Sequence, residues 1–342
     1  MGEIPKLVLL LPESLPQSKD EIGLWRTGHV TEALRLSLSS SSIASDAETL
    51  MHIRAALNAL PPPRLASSSM KANRSVANSD SHDEYCRIAR ANNERPLEVF
   101  VGSVLTAFKE FLEDTIEGDN SLSHEQWFHM RLAFDSILRF IEGDPDSGTE
   151  WAYRQTWAKA SDQEQQCDPF ARWIRGHHVF LVLIQCVITS LNCFLNAHKA
   201  RNSELSASTL DLTAKLFDGC SAALHFAGNF SPVAYEKVVR PTIMPPLTPA
   251  GMSGVLARDH DYLVRLLRSQ KDVFSSLGGS LTQGYGRFVT AFENTYEAHK
   301  LVCSHFVGDE RPSLLSRNEQ AEAAVEVLDK VKNIRLRSFH EV

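Results

Sequence analysis

The longest apolar run in the chain, Val179 to Leu195 (V-F-L-V-L-I-Q-C-V-I-T-S-L-N-C-F-L), constrains the fold more than any other stretch. It has 17 residues and carries Gln185 and Asn192 inside it. A bilayer span needs about 20 mostly apolar residues, so the run is short for one and reads as a buried helix. That helix is expected over Asp168 to His198, with a break near Gly176.

Helical periodicity surrounds it. From Glu94, apolar residues recur at Leu97, Phe100, Val101, Val104, Leu105, Phe108 and Leu112, with Pro96 at the start and Gly118 at the end. Ser123 to Glu142 has Ser123 as N-cap, Gln126 at the capping-box position and Gly143 as stop. Further helices are expected at Asp46–Leu60, Ser206–Phe226, Val255–Leu277 and Arg287–Val307, and over residues 315–336. Trp151, Tyr153 and Trp157 mark an aromatic segment between two of them. No strand ladder, internal repeat or βαβ alternation is evident, so the class is mainly α.

The expected organisation is an irregular, loosely attached segment over 1–90, with one helix and a polar loop, followed by one large helical domain over 91–342. The loop is the Ser- and Asn-rich stretch of about residues 65 to 83, which reads as mobile linker. Residues 228–254 hold five of the chain's 15 prolines and read as a stiff connection.

Net charge is −7 and no basic run exceeds two residues, which argues against a nucleic-acid partner. The N-terminus has Glu3 where a secretory signal needs basic residues, and its apolar run stops at Pro12. A soluble, cytoplasmic protein without membrane attachment is expected. The six cysteines then read as free thiols, with no CxxC and no CxxCH. Oligomeric state, a homodimer included, is left open.

Thirteen histidines supply several false leads. His124 and His129 lie five apart and point in different directions on a helix, so they do not form a zincin pair. His177 and His178 are adjacent and suit surface or capping roles. The glycine-rich 278–286 follows a helix, not a strand, and reads as a helix–helix turn.

His299 and Cys303 differ. They lie four apart in a helical segment, so both project from one face. Taken alone, the pair also fits a buried thiol beside a hydrogen-bonded histidine. His260 opens a separate amphipathic segment, with 38 residues between it and His299.

This H-x38-H-x3-C pattern resembles the haem-binding signature of the 3-methyl-L-tyrosine hydroxylases of saframycin-type tetrahydroisoquinoline antibiotic biosynthesis. The resemblance implies a mainly α-helical enzyme with one haem held between C-terminal helices. It puts the two axial iron ligands at His260 and His299 and a single thioether at Cys303. It implies a peroxygenase that uses hydrogen peroxide to convert 3-methyl-L-tyrosine to 3-hydroxy-5-methyl-L-tyrosine. His260, free of the tether, is then the ligand expected to leave iron and act as acid–base catalyst. His225, Asn229 and Arg240 are substrate-pocket candidates, with Arg258 and Arg265 as further carboxylate partners. The alternatives are a tryptophan-dioxygenase-like haem oxygenase, a non-catalytic bis-histidine electron carrier or sensor, and a helical protein without haem.

Overall fold

A computed structural model of the chain describes residues 4–39, 45–66, 74–117, 122–143, 168–244, 257–308, 323–337 and 339. Trp151, Tyr153, Trp157, Cys167, Pro245, Pro246 and Pro249 lie outside the described residues, as does the start of the helix expected over 315–336.

The elements in chain order are β1 (Leu7–Leu9), α1 (Lys19–Trp25), α2 (Gly28–Ser37), α3 (Asp46–Ala59), α4 (Arg74–Tyr85) and β2 (Ile88–Arg90). They continue with α5 (Pro96–Ile116), α6 (His124–Glu142), α7 (Pro169–Lys199) and α8 (Ser203–Ala227). The last four are α9 (Arg258–Ser269), α10 (Lys271–Ser275), α11 (Thr282–Val307) and α12 (Ala324–Leu336). The fold is mainly α, as the periodicity implies.

Helix α7 is the centre. It runs 31 residues without interruption, and Asp168 caps it by accepting from the amides of Phe170 and Ala171. Long and apolar enough to cross a membrane, it is instead buried within the fold. The break expected near Gly176 is absent. Gly176 is there because a Cβ would stand 2.3 Å from the Cα of Ala227, so only glycine lets α7 and α8 cross this closely. Helix α8 lies along α7 and is covered in turn by α6 and α11. The capping box read from sequence forms at Ser123–Gln126, a second forms at Ser45–Glu48, and Gly143 ends α6 in the left-handed conformation.

Two expectations are corrected. The first 90 residues are neither irregular nor limited to one helix: α1, α2 and α4 are also present. Leu7, Leu9, Ile22, Val30 and Ile53 join the same apolar cluster that reaches Phe339. Helices α1 and α2 have 7 and 10 residues, too few turns for periodicity to declare them. The linker read over 65–83 ends in α4, which buries His82 and Asp83. A small parallel sheet also forms, with Leu7, Val8 and Leu9 paired to Ile88, Ala89 and Arg90. Strands of three residues carry no readable alternation.

A buried polar network ties these parts together. Arg90 on β2 donates to Asp83 of α4 through Nε and Nη2, both at 2.8 Å, and to Asp259 of α9 through Nη2 at 2.8 Å. Gln185, the polar interruption in the apolar run, donates from Nε2 to Asp259 at 2.7 Å and to the carbonyl of Leu10 at 2.9 Å. Asp259 and Gln185 are wholly buried. Replacing Asp259 by Ala leaves Arg90 undercompensated in a dry site and should cost about 3–5 kcal/mol in urea unfolding. Asp261→Ala removes only an exposed pair with Arg265 and should leave stability nearly unchanged. Equal losses would contradict the assignment.

Candidate functional site

The site is built on one face of α11. Phe292, Tyr296, His299 and Cys303 follow each other at steps of four, three and four residues and form a single stripe. The helix is fixed against α8 by Phe217, whose ring meets Phe288 and Phe292 edge-on at 5.8 and 5.4 Å. Thr295 donates to the carbonyl of Phe217 at 3.1 Å. Farther along, Gly228 permits close approach: a Cβ there would lie 2.8 Å from Cγ1 of Val302, the residue before Cys303.

His260 arrives from α9, aimed by its neighbour Asp259 in the buried network. Helix α9 packs mainly on α7, and α11 mainly on α8 and α12. Arg335 in the last turn of α12 joins the two. Its Nη1 donates to Nε2 of His260 at 3.1 Å and also to the hydroxyl of Tyr296, one turn from His299. His260 Nδ1 is buried without a partner.

Two more histidines face the same region. His177 on α7 is hydrogen-bonded through Nδ1 to the carbonyl of Trp173 at 2.7 Å, which makes Nδ1 the donor and leaves Nε2 with its lone pair. His82 on α4 is buried, and its Nδ1 has no partner. Burial drives all four imidazoles toward neutrality. His260 falls to about 3, through burial first and then Arg335, His299 and His82. His299 falls to about 4 through burial and then Arg335. His177 falls to about 4 and His82 to about 3, burial again leading. His260 and His299 still keep some water-accessible surface.

Cys303 is half-buried, and its thiol is pushed up to about 11 by burial, so it is held protonated. Tyr235, whose surroundings include Cys303 and Arg240, lies in a π-helical turn. Its ring stacks on Phe306 at 4.4 Å, and Trp173 approaches both. The recesses outlined elsewhere do not coincide with this chemistry. One of about 270 Å³, between α3 and the start of α5, contains neither histidine nor cysteine. Another of about 420 Å³ is an open groove beside Phe306.

Among the residues expected from sequence, His260, His299 and Cys303 come to one region. His225 and Asn229 flank the Gly228–Val302 contact, and both are half-buried. Arg240 is paired with Glu236 at 2.6 Å. Arg258 is paired with Asp80 at 2.7 Å, and Arg265 with Asp261 at 3.0 Å. The surface role expected for His177 and His178 is overturned. His178 is fully buried between Glu110 at 3.1 Å and the carbonyl of Cys86 at 2.7 Å, and its neighbour His177 bonds the Trp173 carbonyl within electrostatic reach of His299. His82, Tyr296 and Arg335 were not legible, because each depends on a tertiary contact.

Residues 8–284 match the family described as SfmD 3-methyl-L-tyrosine peroxygenase. A 3-methyl-L-tyrosine peroxygenase of Streptomyces lavendulae is 30% identical over 331 residues, covering 96% of this chain and 89% of that protein. The crystal structure of reduced SfmD, soaked with sodium hydrosulfite, matches with a TM-score of 0.72 at 25% identity, over 86% of this chain and 96% of that one. His299, Cys303 and Arg335 lie beyond the stretch matched to the family.

The low pKa of His82 makes a stability prediction. The unfolded chain takes up its proton near 6.5, whereas the folded chain does so only near 3. The contribution is therefore complete above pH 6.5 and is lost as pH falls from 6.5 toward 3, at about 1.4 kcal/mol per pH unit. His82→Gln should flatten the stability–pH curve by one proton in that window, measured by denaturant unfolding. A curve parallel to the parent's would contradict this.

Proposed function

This chain belongs to the SfmD 3-methyl-L-tyrosine peroxygenase family and is an oxidoreductase of the peroxygenase type, and from that premise we propose that it uses haem and hydrogen peroxide to hydroxylate 3-methyl-L-tyrosine to 3-hydroxy-5-methyl-L-tyrosine. It would do so as a soluble cytoplasmic enzyme of antibiotic biosynthesis. The observation that best supports this is the Tyr296–Arg335–His260 link, which brings His260 within one side chain of the face carrying His299 and Cys303.

The residues fit a haem. Iron takes neutral imidazole, and burial keeps both His260 and His299 neutral at physiological pH. The remaining access to both rings suits a group held from α9 and α11. His299 and His260 would hold its iron, and Cys303, one turn from His299, would supply the thioether tether. When bound, haem supplies a redox-active iron able to activate peroxide.

The protein's part is positioning and proton handling. His299 is immobilised by the aromatic packing of α11 and by the tether. His260 has no such constraint, and its Nε2, once free, can take a proton from hydrogen peroxide and return it to the oxygen that leaves as water. The stacked Tyr235 and Phe306 rings, with Trp173, offer an apolar wall for an aromatic substrate. His225 and Asn229 would complete the substrate side. Arg240, beside Tyr235, would meet the substrate carboxylate by exchanging its pairing with Glu236.

Purified protein should remain red after acid–acetone extraction and should yield a catechol from 3-methyl-L-tyrosine and peroxide. Colourless protein, made with ample iron and haem precursor, would overturn this function. Red protein that forms no catechol would favour an electron carrier. Cys303→Ala should release its haem on extraction. His260→Ala should keep covalent haem but lose the bis-histidine absorption spectrum and most turnover. A bis-histidine spectrum in that variant would remove His260 from the ligand set.

A further inference from the structure

The structure assigns Arg335 a role as the positioning residue that captures His260 when the imidazole is off iron. This rests on the haem function proposed above. A guanidinium has only donors, so its contact with Nε2 of His260 at 3.1 Å occupies the ring's lone pair. Coordination to iron needs a lone pair on the same ring, and Nδ1 is enclosed without a partner. With Nε2 accepting, the proton of the neutral ring sits on Nδ1, so iron and Arg335 are mutually exclusive claimants to the one lone pair.

Arg335 is prepared for this. Its Nη1 is also bound to the Tyr296 hydroxyl, and its guanidinium carbon lies 5.5 Å from the Tyr296 ring. Tyr296 sits on α11 one turn before His299, so the capture point is referenced to the fixed ligand helix. Helix α12 is held to α11 by Lys300 and Lys332 pairing with Glu297 and Asp329, all partly exposed. Such pairs are weak and screened by salt, so Val331 and Leu336, packed against the core, supply the rest of the hold on α12. Beyond it, Phe339 is buried against Phe274, Phe288 and Phe292, so the end of the helix stays tied while the arginine swings.

Cyanide binding to the ferric holoprotein reads this equilibrium, because cyanide must displace His260 from iron. Replacing Arg335 removes the alternative partner of Nε2, so Arg335→Ala should bind cyanide about tenfold more weakly, the scale of one charge-assisted hydrogen bond. Arg335→Lys, which keeps a donor, should recover part of the affinity, and Tyr296→Phe should weaken binding less than Arg335→Ala. In a His260→Ala background, Arg335→Ala should have no effect on cyanide affinity. Unchanged affinity in Arg335→Ala and Tyr296→Phe, with the bis-histidine spectrum intact, would overturn the capture role alone. An equal loss when His260 is absent would also overturn it, placing Arg335 on the bound anion instead. Parent protein that takes up no haem would overturn both the capture role and the function it rests on.

Discussion

The pairing of Arg90 with Asp83 and Asp259 is the interaction on which the site depends. A buried cation without partners would cost several kcal/mol, so the three side chains must meet wherever the chain folds. Each acid is the sequence neighbour of a site histidine: Asp83 follows His82, and Asp259 precedes His260. Successive helical residues point about 100° apart, so a carboxylate turned to Arg90 also sets the direction of the imidazole beside it. Gln185 locks the same acid to α7. One network therefore aims two histidines from helices that are 173 residues or more apart in sequence.

The histidines divide by what their nitrogens do. His178 spends both, one on Glu110 and one on the carbonyl of Cys86, and is a structural post. Among the described residues, His82, His177, His260 and His299 have no carboxylate hydrogen-bonded to them. A carboxylate would stabilise the imidazolium and raise its pKa. Its absence, together with burial, keeps all four imidazoles neutral. The fold gives up stability at acid pH to hold them neutral, a cost that packing alone does not require.

Much of this was legible in the sequence, and the reason lies in local chemistry. The capping box at Ser123, the stop at Gly143 and the spacing of His299 and Cys303 are encoded within a few residues. The apolar run declared the central helix. What was hidden is non-local. Gly176 looked like a breaker because only Ala227, 51 positions away, explains it. His82 sat in a polar stretch whose helix forms because Asp83 finds Arg90. Arg335 is one charged residue in a terminal helix, and nothing beside it signals His260.

The two sides of the site differ in stiffness, and that difference bears on chemistry. Helix α11 is braced by interlocked rings of Phe217, Phe274, Phe288 and Phe292, contacts that hold at any salt concentration. Burying such rings gains free energy in proportion to apolar area, so small displacements of His299 or Cys303 are resisted. His260 stands on a helix whose outer face is polar, and its ring contact is to a long, flexible arginine side chain rather than to packed rings. In the proposed haem site, a ligand that stays and a ligand that leaves would call for these two supports.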